Sequence, residues 1–141
     1  MTYSNTSIVS HVSIGTNQFE KARAFYVSVL GALEISIVME HPGAVAFGHN
    51  EPEFWIQIPH DGERASVGNG FHIGFIARTK DEVHAFYEVA IVAGASCDGP
   101  PGPRPHYGEP YYGCFLRDLD GNKIEATFWD GDILSDNSQA D

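Results

Sequence analysis

The chain has 141 residues, 43% of them hydrophobic, enough for one compact domain or two fused half-domains with a real core. Its formal net charge of −11 excludes a general nucleic-acid binder, which needs a basic footprint, and opposes docking on anionic lipid. No apolar run reaches the roughly 18 residues needed to cross a bilayer. No export signal opens the sequence, and the two cysteines, Cys97 and Cys114, read as reduced thiols, so a cytoplasmic location is expected.

Residues 8–14 alternate as a strand, with Val12 and Ile14 on one face and His11 and Ser13 on the other. Asn17 is expected to cap a helix from Phe19 to Leu30, where Ala22, Phe25, Tyr26, Val29 and Leu30 form the apolar stripe and Gly31 ends it. Three short strands follow, Leu33–Met39, Ala44–Phe47 and Phe54–Ile58, separated by the turn signals His41-Pro42-Gly43 and Asn50-Glu51-Pro52. Residues 59–70 read as a polar linker. Phe71–Ala77 is the next strand. Thr79, with Glu82 three residues on, predicts a capping box for a helix running to about Ala93. A short strand is expected at Ala95–Cys97. The Gly99–Pro110 stretch, rich in proline and glycine, is expected to be irregular. Tyr112–Leu116 and Lys123–Phe128 are the last strands, joined by the turn Asp118-Leu119-Asp120-Gly121-Asn122, and the residues after Trp129 read as a frayed tail.

The two halves repeat. His11-Val12-Ser13-Ile14 and Ala24-Phe25-Tyr26 return sixty-one residues later as His72-Ile73-Gly74-Phe75 and Ala85-Phe86-Tyr87. Each half reads β-α-β-β-β, giving an α+β fold with a first module at 1–58 and a second at 71–129. Parity then sets direction. His11 and His72 lie opposite the residues that pack beneath their helices. Glu125 shares a face with Thr127, and Gln57 shares one with Trp55, again opposite the apolar face of each strand.

A carboxylate is rarely buried unless it is paired or bound to a metal. His11, His72 and Glu125 make a two-imidazole, one-carboxylate set suited to zinc, iron, nickel or manganese, with Gln57 as a weaker oxygen donor. In the Gly99–Pro110 loop, His106 and Tyr107 are candidates for acid–base work, and Arg104 for binding an anionic group on a ligand. Tyr111, Tyr112, Phe47 and Trp55 are candidate walls of an apolar substrate pocket.

Residues 8–129 resemble the vicinal oxygen chelate superfamily, which includes glyoxalase I, extradiol dioxygenases, fosfomycin-resistance transferases and bleomycin-resistance proteins. The carrying segments are His11–Ile14, Ala22–Tyr26 through Leu30-Gly31, Phe71–Ile73 and, most specifically, Phe115–Glu125. The resemblance implies paired βαβββ modules wrapping a half-barrel-like cavity, with a divalent ion on His11, His72 and Glu125. It implies that Gln57 stands where glyoxalase I has its remaining first-module carboxylate. It further implies a homodimer acting on a small-molecule ligand. Glyoxalase-like lyase or isomerase chemistry is the leading expectation; a metal-dependent dioxygenase or a ligand-sequestering binding protein are the alternatives.

Overall fold

The computed structural model describes residues 7–132. The first module comprises β1 (Val12–Gly15), α1 (Phe19–Gly31), β2 (Ser36–His41), β3 (Ala44–Gly48) and β4 (Phe54–Gln57). The second comprises β5 (His72–Ile76), α2 (Lys80–Val92), β6 (Ser96–Pro103), a 3₁₀ turn at Pro105–Tyr107, β7 (Tyr111–Arg117) and β8 (Lys123–Trp129). Each module folds into an open four-stranded sheet, ordered β1-β4-β3-β2 and β5-β8-β7-β6. In both, the first strand pairs in parallel with the last, and the other pairings are antiparallel. The architecture is the expected α+β pair of βαβββ units.

Alternation assigns the two faces of each sheet. Phe54 and Ile56 of β4 and Phe75 of β5 point toward the helices and are buried. The helices answer with their own stripes, Ala22, Phe25, Tyr26, Val29 and Leu30 on α1 and Val83, Phe86 and Ala90 on α2. One row of rings unites the halves: Tyr26 meets Phe54 at 5.1 Å, Phe54 meets Phe75 at 5.0 Å, and Phe75 meets Phe86 at 6.1 Å between centroids. The edge-on packing of Tyr26 on Phe54 and of Phe54 on Phe75 adds to the area each ring buries.

The modules are also hydrogen-bonded through the turn between β7 and β8. Asp118 accepts from the Tyr26 hydroxyl at 2.5 Å, and Asp120 accepts from the Thr16 hydroxyl at 2.6 Å and the Asn17 backbone N–H at 3.0 Å. An acidic side chain of the second module therefore sits at the N-terminus of α1, where the exposed N–H groups and the helix dipole favour negative charge. This corrects the expected role of Asn17. Gln18 occupies the cap position with no side-chain cap, and the Asn17 side chain instead bonds the backbone of Ala65 in both directions. Thr79 does cap α2, accepting from the Glu82 N–H at 3.0 Å, while the Glu82 carboxylate reaches back to the Arg78 N–H at 2.7 Å. The facing joint between the modules is looser. A cavity of about 490 Å³ opens there between Phe47, Phe54 and Glu53 on one side and Ile73, Ile76 and Arg78 on the other.

Two strands depart from expectation. β2 starts at Ser36, not Leu33, because Leu33 is buried in the core and Glu34 turns the chain with φ 60°. β6 runs through Gly99–Pro103, a stretch expected to be irregular. It is the outer strand of its sheet, where proline's missing N–H costs no ladder bond, and its pairing with β7 shifts on both sides of Gly99 to absorb Pro100 and Pro101. Residues 59–70 form neither strand nor helix, and the tail beyond 132 lies outside the described residues. Among the described residues no helix is long and apolar enough to cross a membrane.

Candidate metal centre

The open face of the second sheet carries the polar pair. β5 and β8 run in parallel with Gly74 opposite Glu125, and β7 places Phe115 on the other side of Glu125. Glu125 is 8% exposed. Its Oε1 lies 3.3 Å from the Nε2 of His72, which itself stays accessible at the edge of the face. Its Oε2 accepts a 2.5 Å hydrogen bond from the Tyr111 hydroxyl. Burial first, and then the bond to Glu125 and its charge, raise the Tyr111 hydroxyl above the ordinary tyrosine range, so it remains a donor. Thr127, next on the same face of β8, holds a buried hydroxyl oxygen without a hydrogen-bond partner, the one such side-chain atom among the described residues.

The pair fits a divalent ion. Two donors bound at about 2.0–2.2 Å to one such ion stand roughly 3.0–3.5 Å apart, and His72 Nε2 and Glu125 Oε1 are 3.3 Å apart. No group of three His, Cys, Asp or Glu side chains gathers around an ion site among the described residues. His11, the third expected ligand, is exposed on the other module, its Nδ1 3.0 Å from the Ser10 hydroxyl.

Register separates Gln57 from the place expected for it. Ser13 and Gly15 of β1 pair with Trp55 and Gln57, and their sixty-one-residue counterparts Gly74 and Ile76 pair with Glu125 and Thr127. Trp55 therefore holds the position equivalent to Glu125, and Gln57 the position equivalent to Thr127. The Trp55 ring stacks on His41 at 6.0 Å and 5° between planes, making a flat wall on the open face of the first sheet. Gln57 lines a hollow of about 530 Å³ with Pro59, His60 and Arg64.

Two wall candidates lie on the wrong face. Tyr112 points toward α2, where its hydroxyl is 2.6 Å from His84 Nε2 and Lys80 lies over its ring. Phe47 is 1% exposed and packs in the core, touching the cavity between modules and not the open face. Strand alternation places Tyr111, the neighbour of Tyr112, on the open face instead. Arg104 is held by the carbonyls of Pro100, Gly102 and Pro103, with its guanidinium 5.7 Å from the Phe115 ring. Lys123 lies 5.0 Å from the same ring, and His72 6.3 Å from it. A positive rim thus borders the His72–Glu125 pair, with Lys123 also 3.6 Å from Asp98. His106 is exposed and packs on Tyr107 at 4.2 Å, and Tyr107 meets Tyr111 edge-on at 5.0 Å.

The family model of the Glyoxalase/Bleomycin resistance protein/Dioxygenase superfamily matches residues 8–126. The chain belongs to this superfamily. It is similar to a glyoxalase/bleomycin resistance protein from Albidiferax ferrireducens T118, at 35% identity and a TM-score of 0.78 over 86% of this chain and 98% of that one. A superfamily enzyme from Burkholderia phytofirmans PsJN shares the fold at 22% identity and a TM-score of 0.65, covering 84% of this chain and 95% of that one. A lactoylglutathione lyase from Agrobacterium tumefaciens does so at 21% identity and a TM-score of 0.61, covering 89% and 95%. No curated protein sequence matches.

Proposed function

We propose that the protein is a divalent-metal-dependent enzyme, a glyoxalase-like lyase or isomerase acting on a small substrate that presents oxygen atoms to the ion. The observation that carries this reading is the facing of His72 Nε2 and buried Glu125 Oε1 at 3.3 Å on an open, accessible sheet face. His72 and Glu125 hold the ion from one protomer. The partner's His11 completes the set in a homodimer, since His11 is exposed and no third His, Cys, Asp or Glu joins the pair among the described residues of one chain. When bound, the ion polarises a substrate oxygen and stabilises the negative charge that develops on it.

The chain's own residues supply the rest. Arg104 and Lys123 offer positive charge beside the pair and favour an anionic substrate group, offsetting locally the repulsion from a net charge of −11. The Thr127 hydroxyl, buried on the same face of β8, has no protein hydrogen-bond partner. The Trp55–His41 stack provides a flat surface for an apolar substrate group. His106 and Tyr107, on the loop packed against Tyr111, are the candidate proton carriers. The lactoylglutathione lyase of the same fold makes hemithioacetals the first substrates to try.

The test is metal analysis of protein purified without a tag or chelator, followed by turnover of hemithioacetals with the metal found. Stoichiometric metal, lost with chelator together with turnover, supports the reading. A second reading, sequestration of a flat apolar ligand, is favoured by the Trp55–His41 stack alone. Protein that takes up no zinc, nickel, manganese or iron yet binds aromatic cations refutes the enzyme and selects the binding protein.

A further inference from the structure

The Tyr111 side chain has an unusual path. β7 pairs with β8 so that Phe115 is opposite Glu125, Gly113 opposite Thr127, and Tyr111 opposite Trp129. Tyr111 thus starts two same-face positions away from the level of Glu125. Its hydroxyl nevertheless reaches Glu125 Oε2 at 2.5 Å. It does so by lying along the strand across Gly113. A Cβ at position 113 would overlap the Tyr111 hydroxyl and approach the Ala126 carbonyl oxygen to 2.7 Å. The ring is held from its other sides by Trp129 at 5.3 Å and Tyr107 at 5.0 Å, both edge-on. Across the sheet, Gly74 leaves similar room, since a Cβ there would stand 3.2 Å from Glu125 Oε1. The carboxylate is therefore flanked by two side-chain-free positions. One admits the tyrosine, and the other admits the carboxylate oxygen that faces His72.

We infer that Tyr111 is a positioning residue which, through the gap at Gly113, occupies Glu125 Oε2 and leaves Oε1 as the single oxygen offered to a metal ion. The inference rests on the metal-site reading above. A free carboxylate beside an ion swings or binds through both oxygens. A carboxylate with one oxygen tied to a buried hydroxyl donor presents the other in a fixed direction. Partners of metal ligands placed this way typically change affinity by about 10–100-fold when removed. Tyr111 acts through Glu125 and needs no contact with substrate.

The experiment titrates zinc(II) and cobalt(II) into the full chain, by chelator competition and by the visible spectrum of the cobalt form. The variants are Tyr111→Phe and Gly113→Ala, with far-ultraviolet circular dichroism as the check on folding. Tyr111→Phe keeps the ring and removes only the donor. It is expected to weaken zinc binding by about 10–100-fold and to alter the cobalt spectrum as Oε2 becomes a ligand. Gly113→Ala, by displacing the ring, is expected to shift the spectrum the same way. Wild-type protein that binds neither metal refutes the metal-site reading itself and this inference with it. Wild-type protein that binds metal while folded Tyr111→Phe matches it within twofold, with an unchanged spectrum, overturns the positioning role alone. Should Gly113→Ala unfold, Tyr111→Phe decides the matter by itself.

Discussion

Removing one oxygen atom from the joint between the modules tests how the halves are held together. Tyr26→Phe keeps a ring that is 1% exposed and packed among Phe25, Phe47 and Phe54, so the apolar contribution stays. What it deletes is the 2.5 Å bond to Asp118 Oδ2. A hydrogen bond to a charged group contributes about 1.5–3 kcal/mol. Asp118, 6% exposed, would keep the N–H groups of Asp120 and Asn122 on Oδ1 and the Asn122 amide on Oδ2 at 3.1 Å. The carboxylate is not orphaned, so the lower part of the range applies, about 1.5–2 kcal/mol. For a domain of this size that lowers the melting temperature by about 5–8 °C. The assay is urea and thermal unfolding followed by circular dichroism, with the urea slope unchanged. A melting temperature within about 1 °C of wild type would refute the reasoning, because it would mean that the bond between the modules contributes nothing net.

The acid limb of stability is expected to carry a contribution from Glu82. The Arg78 guanidinium, and then its backbone N–H, hold this carboxyl below the ordinary range against a smaller opposing effect of burial. A depressed folded value stabilises above the unfolded pKa of about 4.3 and is lost as pH falls through the folded one. Glu82→Gln should therefore flatten part of the decline in urea midpoint below about pH 4.5 while changing little on acidification from pH 8 to pH 6; an identical acid limb would contradict this. Among the thiols, Cys97 is exposed, whereas burial pushes the Cys114 thiol up to about 12. Native protein should take up one equivalent of iodoacetamide per chain and two after denaturation, read by mass; two in the native state would show that Cys114 is not sealed. Glu125→Gln should weaken zinc binding at least about 10-fold in the same chelator competition, and unchanged occupancy would remove Glu125 from the ligand set.

Long periodic segments were legible. The stripe Ala22-Phe25-Tyr26-Val29-Leu30 and the Thr79 cap formed as expected, with Glu82 reaching the N–H of Arg78 where the box would have it on Thr79, because burial of one helix face and local capping are decided within a few residues. Parity also brought His72 and Glu125 to a common place. The misreadings share a cause, which is pairing between distant segments. Whether Gly99–Pro103 extends is settled by its lying at the sheet edge, and whether Gln57 or Trp55 matches Glu125 is settled by the register of β1 on β4. Asn17 looked like a cap because the competing carboxylate, Asp120, is more than a hundred residues away in sequence. Tyr111 and Tyr112 are adjacent and alike in composition; only the start of β7 separates the one that reaches Glu125 from the one that packs toward α2.

Trp55 at the counterpart of Glu125 has a consequence for the history of the chain. A fresh duplication yields interchangeable halves, in which either copy can lose a residue while the other keeps the job. With an indole in one copy and an acid in the other, these halves are not interchangeable. His11 and His72 hold matching places in the repeat, yet the last strand of one module carries a stacked indole and the last strand of the other a carboxylate. Each half thus offers its open face to a different kind of contact, and neither can stand in for its sibling.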